Sequence, residues 1–154
     1  MTERAETAIR VAHVRRVYLL ALGLVLALFF LHTILLFEIA ELLPRSQIWI
    51  GEHLGQHRIG RTIILGCFFA LFAAHVAEAA AYGLFLSWNR LVPSFSEGLY
   101  FAAATITALG YGDVVLPPPW RQIGPLVAIA GLLKFGCSTA FLFVIMQSIW
   151  QVYS

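Results

Sequence analysis

Charge is in short supply in this chain: Asp, Glu, Lys and Arg make up only 12% of its 154 residues, against 60% that are hydrophobic. A water-facing domain carries roughly twice that charged fraction. A soluble protein is therefore excluded, and the mean hydropathy of +0.84 points to a membrane protein. The net charge of +2 comes with no basic patch and no interleaving of basic and aromatic residues, so nucleic acid is not an expected partner. Anionic lipid is the expected neighbour. Cysteine is limited to Cys67 and Cys137, both inside apolar runs. They support no disulfide framework and are read as buried thiols. A cleavable leader is not expected: the first apolar run comes after arginines, but it is long and lacks a small-x-small site after it. It is read as a retained span.

Long apolar sequence, by contrast, is abundant. Three stretches exceed the ~18 apolar residues that mark a helix able to cross a bilayer, at Val17 to Phe37, Thr62 to Ser87 and Gln122 to Ile149. A fourth, Phe95 to Ile106, is too short to span and suits a re-entrant helix. The predicted fold is an all-α membrane protein with three transmembrane helices and one re-entrant helix. Its parts are a mixed-charge tail at 1–16, an extra span at 17–43, a polar connector at 44–61 and a module at 62–154 with helices at 62–87, 95–106 and 121–149. The connector is too short for a folded domain, and the last span ends close to residue 154, so no cytoplasmic regulatory domain is expected. Gly66, Ala70, Ala74, Ala77 and Ala81 form a stripe of small residues along the second span. Such a stripe lets helices approach closely in lipid.

Pro93 stops the second span, and Ser94-Phe-Ser-Glu97 has the S-x-x-E form of a capping box. A helix is predicted from Phe95, with the negative end of its dipole directed at the segment beyond it. The helix runs into Thr105-Ile-Thr-Ala-Leu-Gly-Tyr-Gly-Asp113. This run resembles a potassium-channel selectivity filter, which replaces the water around an ion by rings of backbone carbonyls. Holding successive carbonyls on one side requires alternating backbone signs, which glycine tolerates.

Residues 62–149 as a whole resemble the pore module of tetrameric potassium channels. Ala130-Gly131-Leu-Leu-Lys-Phe135-Gly136-Cys-Ser-Thr139-Ala is similar to the inner-helix pattern of small bacterial members, and with its extra helix the chain looks like the short, two-pore-domain-like family with one filter per chain. The resemblance implies a homotetramer, since one filter segment cannot close a ring around an ion. It implies K+ held by carbonyls of Thr107, Ala108, Leu109, Gly110 and Tyr111, with Gly112 completing the filter. The Tyr111 side chain would pack behind it and Asp113 would brace its outer mouth. Gly131 would be a hinge, with Gly136 a second bend, and Leu132, Phe135 and Thr139 would line the cavity. No cofactor is implied beyond the permeant ion, and the expected location is a bacterial inner membrane. Two departures stand out. Ala108 replaces a usual threonine, which removes a hydroxyl from the innermost ion site, and Ala104 stands where some relatives carry an acid that pairs with the aspartate like Asp113.

Four ionisable residues lie deep in apolar sequence: His32, His75, Glu78 and Lys134. Charge at bilayer depth costs about 2.5–3.5 kcal/mol even on a lenient scale, so these groups should face protein or water. They read as an internal hydrogen-bonded cluster, as a pH sensor in which a histidine titrates against Glu78, or as a metal site. Lys134 is expected to point sideways and to pair with Glu78 or Glu97. His53 and His57, four apart near Arg58, read as surface residues.

The arginine counts on the two sides of the first span nearly tie. A filter near the outer face settles the topology, placing the amino terminus outside and residues 38–61 inside. The first span lacks arginines at three-residue intervals, so no voltage sensor is expected. The sequence thus points to a potassium-selective channel and not to an enzyme. A weakly selective cation channel, or a membrane metalloprotein using His32, His75 and Glu78, are the competing readings.

Overall fold

The computed structural model describes residues 2–54 and 59–153. Its elements are α1 (Thr2–Leu54), α2 (Ile59–Trp88), α3 (Phe95–Ile106), a 3-10 turn (Trp120–Gln122) and α4 (Ile123–Tyr153), with no strand among the described residues. Three helices are long and apolar enough to cross a membrane, over Glu6–Pro44, Ile59–Trp88 and Trp120–Gln151. The protein is an all-α integral membrane protein.

Tail, first span and the start of the connector form one helix, α1, instead of three segments. The tail is rich in Ala, Glu and Arg, all good helix formers, so charge there marks where the helix leaves the hydrocarbon and not where it ends. Pro44 lies inside the helix. Its ring removes one backbone hydrogen bond, yet the helix continues past it. Residues 55–58, including His57 and Arg58, lie outside the described residues, as does the side chain of His53.

The chain divides into two compact units. One combines α1 up to Phe29 with Glu78–Leu132, and so contains α3 and the segment after it. Val17, Ala21 and Val25, spaced by four, put one face of α1 into its core. Tyr82 and Leu86 of α2, Phe101 and Ala102 of α3, and Ile123 and Val127 of α4 are buried with them. Four elements meet around a residual space of about 10 Å³, which leaves room for no more than a water. At one end of this unit the His13 ring meets Trp120 edge-on at 5.9 Å, and the Tyr18 hydroxyl donates to the Pro119 carbonyl. The amino-terminal half of α1 therefore lies at the same end as the 113–120 loop.

α2 meets α3 through glycine. A Cβ on Gly83 would lie 2.7 Å from the Leu99 nitrogen, and one on Gly98 would lie 2.6 Å from the Gly83 carbonyl oxygen. Only residues without a side chain allow this backbone contact. The small-residue stripe does something else: nothing lies within 4 Å of a Cβ built on Gly66, and Ala77 is exposed. Its glycine faces away from the rest of the chain.

The second unit combines Phe30–Ala77 with the chain from Leu133 onward. Ile59, Ile63 and Cys67 of α2 and Ile145 of α4 form its apolar cluster, flanked by Ile39 and Leu43 of α1. Cys67 is buried as expected, but Cys137 is exposed. Periodicity explains the difference, because Cys137 precedes the buried Ser138 by one position and a helix turns ~100° per residue.

Candidate functional site

α3 is fixed at its start by a side chain. Ser94 has extended backbone, φ −148° and ψ 165°, and its hydroxyl accepts from the Glu97 N–H at 3.2 Å. The Ser94 half of the capping box is formed. Glu97 sits in the first turn, where the helix dipole favours an acid. At the far end the Thr107 hydroxyl donates to the Ala103 carbonyl at 2.7 Å, and the Ala108 N–H reaches back to Thr105.

Beyond Thr107 the backbone reverses sign at every second residue: φ is 58° at Ala108, 52° at Gly110 and 80° at Gly112. Such alternation turns successive carbonyls toward one side of the segment. Nothing lies within 4 Å of a Cβ built on Gly110 or Gly112, so conformation and not space requires glycine there. The Gly110 N–H donates to the Ala104 carbonyl at 3.1 Å, tying the segment to the last turn of α3. Ala108 is an L-residue held in the left-handed region, at a cost of about 1–2 kcal/mol.

Asp113 is held from both oxygens. Oδ2 accepts from the Tyr100 hydroxyl at 2.7 Å and Oδ1 from the Val114 N–H at 3.0 Å. The Tyr100 bond keeps the Asp113 carboxyl below its usual range, and the same bond raises the Tyr100 phenol. Tyr100 thus does from a position one turn earlier what an acid at position 104 would do. Sequence reading missed it, although a tyrosine four residues before Ala104 on the same helix face was the available signal.

Leu109 and Tyr111 are exposed in the chain, at 60% and 68%. Tyr111 opens onto a cleft of about 690 Å³ that also touches Tyr100, Asp113, Arg121 and Ala128. Behind the segment, α4 approaches α3 at Gly131, where a Cβ would lie 2.3 Å from the Ile106 carbonyl oxygen. The residue expected as a hinge is thus also a close packing contact. Leu132 and Thr139 are exposed, and Gly136 has open space around it. Phe135, expected on a cavity wall, stacks its ring on His75 at 4.0 Å and 14°. An aromatic face there covers a histidine that would otherwise meet lipid.

His75 and Phe135 belong to the second unit, as do His32 and Ser138. The Ser138 hydroxyl lies 2.8 Å from Nε2 of His32 and 3.2 Å from Nε2 of His75, and the two imidazoles are 4.9 Å apart. A hydroxyl has one proton, so with both rings neutral it donates to one and accepts from the other. The two histidines then adopt complementary tautomers. Ser138 was absent from the sequence-predicted cluster, although a serine within an apolar helix was visible. Lys134, one turn earlier on α4, is 1% exposed. Glu78, one turn after His75 on α2, is buried and falls within the first unit.

No curated protein and no solved structure matches the chain. A family profile described as ion channel matches residues 62–148, more than half of the chain. That stretch takes in α3, the segment of alternating backbone sign and most of α4, and the chain belongs to this ion-channel family.

Proposed function

We propose that the protein is a potassium-selective channel in which four chains bring residues 107–112 around one axis and their backbone carbonyls replace the hydration shell of K+. The observation that carries this reading is the alternation of positive φ at Ala108, Gly110 and Gly112 directly after a capped short helix. A connecting loop has no need of that alternation, whereas a ring of carbonyls does. The C-terminal end of α3 then points its partial negative charge toward the ion path. The exposure of Leu109 and Tyr111 in the single chain supports a homotetramer, in which neighbouring chains would cover them. K+ is the only bound species the reading requires. Its amino terminus is outside, since α1 begins at the end where residue 113 leaves the filter, and the bacterial inner membrane is its proposed location.

Ala108 favours a second reading, a weakly selective cation channel. With no hydroxyl at that position, water or backbone oxygen alone completes the innermost site. The Ser138-bridged histidines supply a basis for pH modulation, because a charged imidazole can only donate, so charging the ring that accepts from Ser138 reverses that hydrogen bond.

One experiment separates these readings. The purified chain in liposomes is expected to pass K+ well above Na+, with flux abolished in Gly110→Ala. Equal K+ and Na+ flux that still depends on Gly110 selects the weakly selective channel, and flux unaffected by Gly110→Ala rejects both. Repeating the assay at about pH 5 and about pH 7.5 with Ser138→Ala tests the histidine bridge. A pH response that survives this substitution argues against it.

A further inference from the structure

α1 carries two shallow grooves, one on each side of a ridge formed by Arg16 and Leu20. The first, of about 400 Å³, lies between α1 and the end of α2 and is lined by His13, Arg16, Val17, Leu20, Phe85 and Trp88. The second, of about 740 Å³, runs along the other flank, with Arg4, Arg15 and Arg16 beside Leu19 and Leu20. Among the described residues, no carboxylate lines either groove.

The level of these grooves in the membrane is set by the aromatic residues around them. Tyr18, Trp88 and Trp120 lie at the same end of the first unit, and tyrosine and tryptophan concentrate where hydrocarbon meets headgroups. Arg15 and Arg16 sit just outside Tyr18 along α1, at headgroup depth. Leu19 and Leu20 follow it, where the apolar run begins.

We propose that this face of α1 is a binding site for an anionic phospholipid. The phosphate sits between Arg16 and the His13 imidazole, which line the first groove together, and the acyl chains lie along Leu20 and Phe85. Guanidinium forks suit phosphate oxygens, and an apolar floor next to them suits only a ligand that is half hydrocarbon. A soluble phosphate would leave that floor uncovered. A second copy of the chain is a poor occupant, because it would bring a further cationic face against an uncompensated one. The arginines lie outside the residues that the ion-channel family match covers, so the site is a property of the added helix. It uses no residue of the proposed filter.

Trp88 is 81% exposed at the groove rim and reports directly on what lies there. The full chain is placed in phosphatidylcholine vesicles in which a minor fraction of lipid is brominated, either phosphatidylglycerol or phosphatidylcholine. The contribution of Trp88 is the difference between the chain and its Trp88→Phe variant. Quenching by the brominated anionic lipid is expected to exceed that by the zwitterionic lipid, with an apparent affinity about fivefold higher for each arginine engaged. Arg16→Gln is expected to remove most of that excess and Arg16→Lys to keep most of it. Equal quenching by the two lipids overturns the proposal. Quenching by neither overturns it in favour of a second copy covering the groove, and loss of quenching on adding soluble glycerol phosphate overturns it in favour of a free-anion site. The comparison of lipids on the unsubstituted chain decides the matter even where Arg16→Gln fails to fold.

Discussion

Ala108 is a compromise between two demands on one position. The backbone there is left-handed, which glycine accepts freely, while a coordinating hydroxyl at the same place needs a β-branched residue that resists that conformation. Alanine meets neither demand fully. Ala108→Gly is expected to raise the melting temperature in detergent, through about 1 kcal/mol per chain of relieved strain. Ala108→Thr is expected to lower it, and in the proposed filter to strengthen barium block by restoring an inner site; unchanged block would remove the argument from the missing hydroxyl. Asp113 gives a second test. Its folded carboxyl titrates below its ordinary range because Tyr100 donates to it, so ionised Asp113 contributes stability that is fully present above that range. This contribution is lost only as pH falls through the lowered value. Melting temperature should therefore stay level on mild acidification and fall in stronger acid, and Tyr100→Phe should lower it at neutral pH while flattening that fall. An identical acid profile in the variant would show that the bond does not bear on stability. Helix periodicity puts Tyr100 on the face of Ala104, but the pairing forms only once the chain has reversed after α3 and brought together residues 13 apart.

α3 is the element most completely written into its own sequence. Pro93, Ser94 and Glu97 act within a single turn, so the start of the helix needs no partner to define it. Its seating is another matter. Gly83 and Gly98 bring α2 and α3 into backbone contact, and Gly131 brings α4 against Ile106 at the point where α3 ends. Lipid tails supply no hydrophobic drive for helices to associate, so such close packing must hold them. Gly131→Ala is expected to cost roughly 1–3 kcal/mol as a rigid carbonyl is pushed aside. Thermal unfolding in detergent measures this, and an unchanged midpoint would argue against a packing role for Gly131. α1 shows the opposite limit of legibility. Hydropathy locates the membrane, not the helix, and for that reason a continuous helix from Thr2 to Leu54 reads from composition as a tail, a span and a connector.

Only about a third or less of the residues in each spanning segment's most apolar stretch is buried within the chain, so most of that surface meets lipid or other chains. A homotetramer is expected to run at four chain masses when detergent is subtracted by light scattering; a monomer mass in detergent that preserves K+ flux would overturn the assembly proposed above. The sequence by itself determined the membrane class, the capped helix, the Gly-Tyr-Gly run and the presence of four ionisable residues in apolar surroundings. Each of these is either a composition or a pattern a few residues long. Tertiary structure decided what those residues touch. It put Ser138 between His32 and His75, laid Phe135 over His75, gave Asp113 to Tyr100 and brought Tyr18 to Pro119, across sequence separations of up to 106 residues. The physical reason is that helix periodicity fixes which residues share a face, whereas the partner of that face depends on how separate helices pack, and no local pattern carries that information.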